Sequence, residues 1–416
     1  MTLRRSLPIA LFLLMLSSAG PSWGQDSDLG PIVVGPRAHR IHASTYVFDG
    51  HNDLPWALRT RSSTSFKRLD ISKPQPDLHT DIPRLHKGNV GAQFWSVYVP
   101  ANTANDGTAL LKTLEQIELV HAMAERYPET FALCGTTADI LRARRENKIA
   151  SLIGVEGGHA IEGSMANLRR LYQLGARYMT LTHSATLPWA DSATDEAKHQ
   201  GLTKFGEAVV HEMNRLGMLV DLSHVSADTM LDTLQISRAP VIFSHSSAFA
   251  VAGHPRNVPD NVLEQVRING GVVMVNFYSG FIHPESARRR AKMFDVMREM
   301  RLKYPEAADY RKAMTRWRAE NPIAPGHARD VVDHIDHIVK VAGFRHVGIG
   351  SDFDGISVVP VQLEDVASYP VITQEMLTRG YSRRAIQAIM SGNVMRVLTE
   401  AERVAEEPQS MQAVFK

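Results

Sequence analysis

The sequence predicts a (β/α)8 barrel, and three observations support that prediction. Eight short runs rich in β-branched and aromatic residues alternate with amphipathic stretches, a pattern typical of parallel strands joined by helical crossovers. The runs are apolar on both faces, as expected for a sheet that is covered on both sides. With 416 residues, the chain is long enough for one large barrel that carries an insertion.

The predicted strands follow one another along most of the chain. An open, doubly wound sheet is the alternative architecture, but no G-x-G-x-x-G phosphate loop follows any of the runs. The closed barrel is therefore the preferred prediction. In order, the runs are TYVFDGH (45–51), VGAQFWSVYV (90–99), IASLIGVEG (149–157), ARYMTLTH (176–183), GMLVDLSH (217–224), PVIFSHS (240–246), GGVVMVNFY (270–278) and HVGIGSDFDG (346–355).

The link before the eighth run breaks the regular alternation. Residues 281–328 are rich in charge, and their helical spacing predicts a helical insertion before the last strand. The insertion is interpreted either as a solvated excursion from the barrel or as a lid or dimer contact. The first interpretation is the simpler one, because the arginine cluster at 288–290 is compatible with an exposed helix face.

The N-terminus has the composition of a signal peptide. A basic start, MTLRR, precedes the apolar stretch LPIALFLLMLSSA and a small-x-small site that ends at Gly24. The apolar stretch is shorter than the roughly 20 residues that a transmembrane anchor needs. We therefore predict a signal peptide over 1–24 and a secreted protein, with the periplasm as the expected destination. A flexible lead-in over 25–40, the barrel domain over 41–405 and a tail over 406–416 complete the predicted organisation.

Composition and charge exclude several classes of protein. The formal net charge is +2 and the basic residues are scattered, so no nucleic-acid partner is expected. No later segment is apolar enough to span a bilayer, and no hydrophobic tail predicts lipid attachment, so no stable membrane anchor is expected. Cys134 is the single cysteine, which excludes an intrachain disulfide, and its apolar neighbours predict a buried side chain.

Residues that can bind metals lie at or just beyond the carboxyl ends of the predicted strands. In a barrel these ends meet at one rim, where active sites of this fold lie. Taken singly, each residue has a simpler interpretation, such as Asp53 as a helix cap or Glu156 as a charge in a glycine-rich turn. Together at one rim they are a costly concentration of buried charge unless metal binds them. They are His51, Asp53, Glu156, His183, His224, His245 and Asp352.

These side chains predict a metal site with nitrogen and oxygen ligands. Imidazole and carboxylate without thiolate suit zinc and, less exclusively, manganese, cobalt or nickel. His51 and Asp53 point to the same side of an extended strand and could hold one ion. His224 and His245 could hold a second, with Glu156 bridging two ions about 3.5–4 Å apart. A water between the ions would lose its proton near neutral pH and become a nucleophile.

Several stretches resemble the membrane dipeptidase family, also called renal dipeptidases or M19 peptidases. The resemblance runs from about residue 45 to 400 and rests on the motifs DGHNDLPW, GVEGGHAIEG, LTHSATLPWADSA, DLSHVS, SHSSAFAVAGHPRNVPD, NFYSGF and GSDFDG. It implies an enzyme that hydrolyses dipeptides with two zinc ions, held by the ligands named above. It also suggests tolerance of a C-terminal D-residue and some β-lactam ring opening. Animal members are typically lipid-anchored and disulfide-linked; neither property carries over here, whereas a homodimer is an expectation from the family alone.

The resemblance also implies roles for residues around the metals. His183 would contact the substrate near the scissile carbonyl, and Asp352 would take the water proton and deliver it to the leaving amine. Arg256 would pair with the free carboxylate of a dipeptide, because a guanidinium forks onto two oxygens. Without the resemblance, an ion pair with Asp260 is the simpler interpretation of Arg256. Tyr278 either lines the substrate pocket or packs at the barrel end.

Two other functions remain open from the sequence. A related barrel metallohydrolase acting on a cyclic amide, a lactone or a phosphoester would share the metal site but would not need Arg256. A non-catalytic exported binding protein would be favoured by the loss of a ligand, and every expected ligand is present.

Overall fold

The computed structural model describes residues 30–407, in which nine parallel strands form one sheet. Eight of the strands coincide with the predicted runs, and a short additional strand, β3, lies between the second and third of them. The predicted signal peptide and the residues beyond 407 lie outside the described residues. The strands are β1 Val47–Asn52, β2 Val90–Tyr98, β3 Phe131–Leu133, β4 Ile149–Glu156, β5 Ala176–Thr180, β6 Leu219–Asp221, β7 Ile242–Phe243, β8 Val272–Val275 and β9 Val347–Ile349.

Eight of these strands close into a barrel, which confirms the predicted fold class. β2 pairs with β1 on one side and with β4 on the other, and the ring continues from β1 through β9, β8, β7, β6 and β5 back to β4. β3 pairs only with the first residues of β4, before β5 begins to pair with β4 at Ile153. The closed ring excludes the open doubly wound sheet.

Helices connect the strands around the barrel. Ser164, Thr203 and Ser226 each cap a helix by accepting a backbone N–H three residues later, a contact that contributes about 1 kcal/mol. The helices are α1 Pro36–Ala43, α2 Leu54–Ser62, α3 Ile82–Lys87, α4 Ala109–Arg126, α5 Thr137–Arg145, α6 Met165–Gln173, α7 Lys204–Leu216, α8 Ala227–Ile236, α9 Asp260–Asn269, α10 Ser279–Ile282, α11 Pro284–Lys303, α12 Ala307–Glu320, α13 Ala328–Val341, α14 Tyr369–Thr378, α15 Arg383–Gln387 and α16 Asn393–Glu406. Short 3-10 helices occupy Ala101–Ala104, Gly158–Ile161 and Phe344–His346, and a π-helical turn occupies Ala388–Gly392.

Apolar side chains fill the barrel at the end away from the predicted site. Phe48 and Phe94 stack with their ring centres 5.6 Å apart, and the ring of Tyr178 lies 4.7 Å from that of Phe94. Several buried residues of α16 belong to the same apolar cluster. Arg396 of α16 donates to the carbonyl oxygen of Gly270, just before β8 begins, so α16 covers the amino ends of the strands. This packing leaves the carboxyl ends as the place for a cavity.

The N-terminal part of the described chain is already attached to the barrel. The predicted lead-in over 25–40 is helical from Pro36 onward, and Ala38 and Ile41 of α1 are buried. His42 contacts the carbonyl oxygen of Gly88 through Nε2 at 3.0 Å. No helix within residues 30–407 has the length and apolar character needed to cross a membrane.

The predicted helical insertion before the last strand is confirmed. Between β8 and α13 the chain forms α10, α11 and α12. α11 and α12 pack against each other through Met293, Val296 and Met314, which form an apolar cluster separate from the barrel core. Trp317 and other partly buried side chains pack against this cluster. The insertion is therefore a helical pair with a small core of its own.

Candidate active site

The seven predicted rim residues meet at the carboxyl ends of the strands. They lie within, at the end of, or a few residues beyond β1, β4, β5, β6, β7 and β9. Strands from distant parts of the sequence thus bring their side chains within a few ångströms of one another. The cluster lies on the side of the barrel that α16 leaves open.

Asp53 reaches this cluster by a local geometry that differs from the predicted one. β1 ends at Asn52, and Asp53 is the N-cap residue of α2 with φ −95° and ψ 21°. The direction of its side chain is therefore not explained by the alternation of side chains along an extended strand. Its side chain makes no capping hydrogen bond. Instead, Oδ2 of Asp53 lies 3.2 Å from Nε2 of His51. The simpler interpretation of Asp53 as a helix-capping side chain is therefore wrong.

Glu156 is the centre of the cluster, and its two oxygens face different histidines. Oε2 lies 3.6 Å from Nε2 of His51. Oε1 lies 3.1 Å from Nε2 of His224, 3.5 Å from that of His183 and 3.6 Å from that of His245. A carboxylate with separate sets of ligand atoms around its two oxygens has the geometry of a bridging ligand.

The chemistry of these donor atoms fits metal binding. Within residues 30–407, ligand atoms within 4.8 Å of one another form three groups: His51, Glu156 and His245; Glu156, His183 and His224; and His51, Asp53 and Asp352. Nε2 of His51 has no hydrogen-bond partner although it is buried. Nε2 of His224 and Nε2 of His245 face each other at 2.8 Å. Converging imidazole and carboxylate donors of this kind suit zinc or a similar divalent ion.

Three residues of the cluster have the protonation state that metal binding requires, whereas Tyr178, Glu156 and Asp53 raise the pKa of His51 against the effect of burial. Burial lowers the pKa of His224 and of His245 well below the ordinary value, and Arg256 lowers both further, so these imidazoles are neutral and offer a lone pair. Burial by itself would raise the pKa of Glu156. The charges of His51 and His183 and hydrogen bonds from the histidines outweigh burial and hold the pKa of Glu156 well below its usual range. Glu156 is therefore an anion despite being buried.

Hydrogen bonds to the far side of two rings aim them at Glu156. Nδ1 of His51 contacts the hydroxyl of Tyr178 at 2.8 Å. Nδ1 of His245 contacts Oγ of Ser244 at 2.8 Å, and that hydroxyl donates to Oδ2 of Asp221 at 2.6 Å. Such bonds set the orientation of metal-binding imidazoles. Tyr178, Ser244 and Asp221 were not predicted as site residues, although all three lie in the predicted strand runs.

Asp352 has a distorted backbone and only one constrained oxygen. Its φ of 64° lies in the left-handed region, which is costly for a residue other than glycine and is common at functional sites. Oδ2 accepts a hydrogen bond of 2.8 Å from Nδ2 of Asn276, which leaves Oδ1 on the side of Asp53 and Gly355. Burial raises the pKa of Asp352 well above its usual value, against the opposing charge of His51. A carboxyl with a raised pKa accepts a proton more readily than an ordinary aspartate, which suits a group that takes and delivers protons.

Gly355 has no side chain, and the carboxylate oxygens of Asp53 and Asp352 occupy the space that a side chain would fill. A Cβ at this position would lie 2.1 Å from Oδ2 of Asp53 and 2.7 Å from Oδ1 of Asp352. We expect Gly355→Ala to displace both carboxylates and to lower kcat/KM for dipeptides about 10²-fold, since misplacing catalytic groups by about 1 Å costs that much. The midpoint of thermal unfolding should change little.

The matched control for this substitution is Gly253→Ala. There the nearest heavy atom to a new Cβ is Cζ of Phe249 at 3.9 Å, so the methyl group is accommodated. Activity should be retained in this control. Equal activities of the two variants would contradict the close approach at Gly355.

Arg256 is a buried guanidinium without an ionic partner among the described residues. It is 2% exposed, and it donates only to Oγ of Ser246 at 3.2 Å and to the carbonyl oxygen of His245 at 3.3 Å. Nε has no hydrogen-bond partner. The alternative ion pair with Asp260 is wrong, because Asp260 pairs with His337 at 2.7 Å. A buried cation without a counter-ion indicates a site for an anion.

A cavity of about 730 Å³ joins the metal-ligand cluster to Arg256 and to the insertion. Tyr278 lines this cavity and is 8% exposed, so it both packs at the barrel end and faces the pocket. The outer wall comes from α11, α12 and the residues after α12. The insertion is therefore more than a solvated excursion, because it forms part of the candidate site. Its contribution to the cavity is Phe281, Arg289, Arg290, Met293, Phe294, Trp317, Arg318, Asn321 and Ile323.

The sequence model of the membrane dipeptidase family, peptidase family M19, matches residues 36–412. The chain belongs to this family. The match spans the barrel, all the rim residues and the insertion, and the enzyme is accordingly a metallo-dipeptidase, as the resemblance implied. Membership of a metal-dependent family agrees with the three groups of converging ligand atoms.

Solved structures of related proteins share the fold of this family member. The probable dipeptidase PvdM from Pseudomonas aeruginosa is 22% identical with a TM-score of 0.77, covering 89% of this chain and 98% of that one. A metallo peptidase from Rhodobacter sphaeroides, liganded with a phosphinate mimic of the dipeptide L-Ala-D-Ala, is 24% identical with a TM-score of 0.70, covering 86% and 99%. An amidohydrolase from Pseudomonas aeruginosa is 22% identical with a TM-score of 0.67, covering 88% and 98%. At these identities the likeness establishes the barrel fold.

Proposed function

We propose that this dipeptidase uses two zinc ions and recognises the free carboxylate of its substrate through Arg256. The observation that supports this most strongly is the unpaired, buried guanidinium in the same cavity as the Glu156 cluster. A dipeptide has a scissile carbonyl close to its terminal carboxylate. A site that joins metal ligands to one buried cation is complementary to both groups.

The five proposed metal ligands are His51, Asp53, Glu156, His224 and His245. Zinc bound there would supply an acidified water and polarise the scissile carbonyl. Glu156 would be shared between the two ions, because its oxygens face different histidines. The other ring nitrogens of His51 and His245 are held by Tyr178 and Ser244, so these two ligands are oriented in advance.

The remaining residues would position the substrate and move protons. Arg256 binds the carboxylate and thereby sets the distance to the scissile bond. Oδ1 of Asp352 takes the proton of the attacking water and delivers it to the leaving nitrogen, while Asn276 holds Oδ2. His183 lines the cavity beside Glu156 and would donate to the oxygen of the scissile carbonyl. Tyr278 would form the wall beside the C-terminal residue.

A panel of small substrates tests this proposal. The purified mature protein is assayed on L-Ala-L-Ala, L-Ala-D-Ala and the C-terminal amides of both, before and after chelation and again after zinc is restored. We expect cleavage of the free dipeptides, loss of activity on chelation, recovery with zinc and poor cleavage of the amides. Cleavage of the L-Ala-D-Ala substrate would support tolerance of a C-terminal D-residue.

The same panel separates the competing function. A hydrolase for a cyclic amide, lactone or phosphoester would share the metal dependence. An uncharged cyclic amide or lactone would leave Arg256 unpaired in its pocket, whereas a phosphoesterase would pair Arg256 with phosphate but would not cleave the dipeptides of the panel. Equal rates on dipeptides and their amides would refute the proposed role of Arg256. No turnover of any dipeptide, with two metals verified as bound, would refute the proposed substrate.

The proposed cellular setting is export through the predicted signal peptide over 1–24. Amino-terminal sequencing of protein recovered from the exported fraction tests this, with cleavage near Gly24 as the expected result. The homodimer expected from the family stays a prediction, which light scattering of the mature protein would check.

A further inference from the structure

The outer wall of the cavity carries a second basic group that the proposed mechanism does not use. Arg289 and Arg290 of α11 and Arg318 of α12 line the cavity. The carboxylates that line it, by contrast, all lie at the metal end: Asp53, Glu156, Asp352 and Asp354. The cavity is therefore acidic at the barrel rim and basic along the insertion.

Arg290 differs from its neighbour in having no ionic partner among the described residues. Its Nε is buried without a hydrogen-bond partner, and its Nη1 contacts only Sδ of Met293, at 3.0 Å. Arg289 instead forms an ion pair with Glu285 and donates to the carbonyl oxygen of Pro322 at 2.9 Å. Leaving a buried donor without an acceptor destabilises the folded protein. The unpaired Nε of Arg290 therefore indicates a position where a ligand with an acceptor oxygen can bind.

Aromatic rings fix the position of Arg290 relative to Arg256. Cζ of Arg290 lies 5.7 Å from the ring centre of Tyr278 and 5.2 Å from that of Phe294. Cζ of Arg256 lies 5.4 Å from the ring centre of Phe281, which meets Tyr278 edge-on at 4.9 Å. The two guanidinium groups therefore lie against different members of one edge-to-face aromatic pair, Tyr278 and Phe281. Arg290 is on the side of the cavity where Arg256 would hold the C-terminal residue.

We propose that Arg290, assisted by Arg318, forms a second anion subsite that binds the side-chain carboxylate of an acidic C-terminal residue, aspartate or glutamate. This inference rests on the proposed function, because Arg256 must hold the main-chain carboxylate. The arginines of the insertion repel the substrate ammonium group, which places the N-terminal residue away from the insertion. The preferred substrates are then dipeptides with a carboxylate on both the main chain and the side chain of the second residue.

The test compares substrates that differ only in that side-chain charge. Wild-type protein with zinc bound is assayed on L-Ala-L-Glu against L-Ala-L-Gln and on L-Ala-L-Asp against L-Ala-L-Asn, with the D-forms of the second residue in parallel. We expect kcat/KM to favour the acidic member of each pair by about tenfold, mainly through KM, as a charge-assisted hydrogen bond provides. The preference should shrink as ionic strength rises.

Variants of the two neighbouring arginines identify the residue responsible. Arg290→Met keeps the contacts with Tyr278 and Phe294 and should remove the acidic preference, whereas Arg290→Lys should keep part of it. Arg289→Met is the matched control and should retain the preference, since Arg289 is already paired with Glu285. The readout is the ratio of kcat/KM for each acidic substrate to that for its amide partner, and the midpoint of thermal unfolding should stay near wild type in all three variants.

The possible failures are distinguishable. If dipeptides are cleaved but the acidic and amide side chains are treated alike, or if Arg290→Met keeps the preference, the subsite is wrong and the dipeptidase proposal stands. If no dipeptide is cleaved with two metals verified as bound, the proposed function fails and the subsite fails with it.

Discussion

Replacing Glu156 by glutamine is expected to abolish dipeptide hydrolysis, with kcat/KM reduced about 10³-fold or more. Glutamine keeps the shape of the side chain but removes its charge. Its amide NH2 group replaces one carboxylate oxygen, so an N–H donor faces the imidazoles in place of an acceptor. His51 lies on one oxygen and His224 on the other, so a single change disturbs both halves of the site. Losing several kcal/mol of metal binding and charge stabilisation at such a centre is sufficient for a reduction of this size.

Metal content measured beside activity locates the cause of that loss. Plasma mass spectrometry of the Glu156→Gln protein should find fewer than two zinc ions per chain. Glu146→Gln is the control, because Glu146 is exposed at the end of α5 and, within residues 30–407, forms an ion pair with Lys148 alone. The control should keep both activity and metal. Full metal occupancy with full activity in the Glu156→Gln protein would contradict a bridging role.

Strand periodicity was sufficient to predict the barrel, because buried parallel strands leave a continuous apolar signal. It failed for β3, whose three residues are too few to show a period and of which Leu133 is 40% exposed. It also gave the wrong reason for Asp53, which lies in the turn into α2 rather than in the strand. The pattern locates a residue along the chain, but the backbone dihedrals at the strand end decide where its side chain points.

The proposed metal ligands could be predicted from the sequence because all of them lie at or just beyond the carboxyl ends of strands, which the barrel brings together. The residues that orient them could not. Tyr178 bonds to His51 across 127 positions of the chain, and Asn276 bonds to Asp352 across 76. Such pairs depend on which strands are neighbours and on which way each side chain faces. The contribution of the insertion to the cavity depends likewise on how α11 and α12 pack over the rim, which no local pattern encodes.

The second large effect is expected from Arg256→Met, which should lower kcat/KM for L-Ala-L-Ala about 10²-fold. Methionine can still pack against the ring of Phe281, but it removes the charge and all the N–H donors of the guanidinium. Truncating one member of a buried, hydrogen-bonded charge pair costs about 3 kcal/mol, which corresponds to that factor. The amide of the same dipeptide, which has no terminal carboxylate, should be cleaved by wild type and variant at similarly low rates.

The comparison of acid and amide separates substrate recognition from damage to the metal site. Arg256 also lowers the pKa of His224 and His245, with burial as the larger cause, so its removal could disturb the ligands as well. A loss confined to the free dipeptide, with two metals still bound, is the expected signature of carboxylate recognition. An equal loss for dipeptide and amide would instead assign Arg256 to the metal site. Arg267→Met, an exposed arginine on the neighbouring α9, should change neither rate and controls for a general effect of removing positive charge.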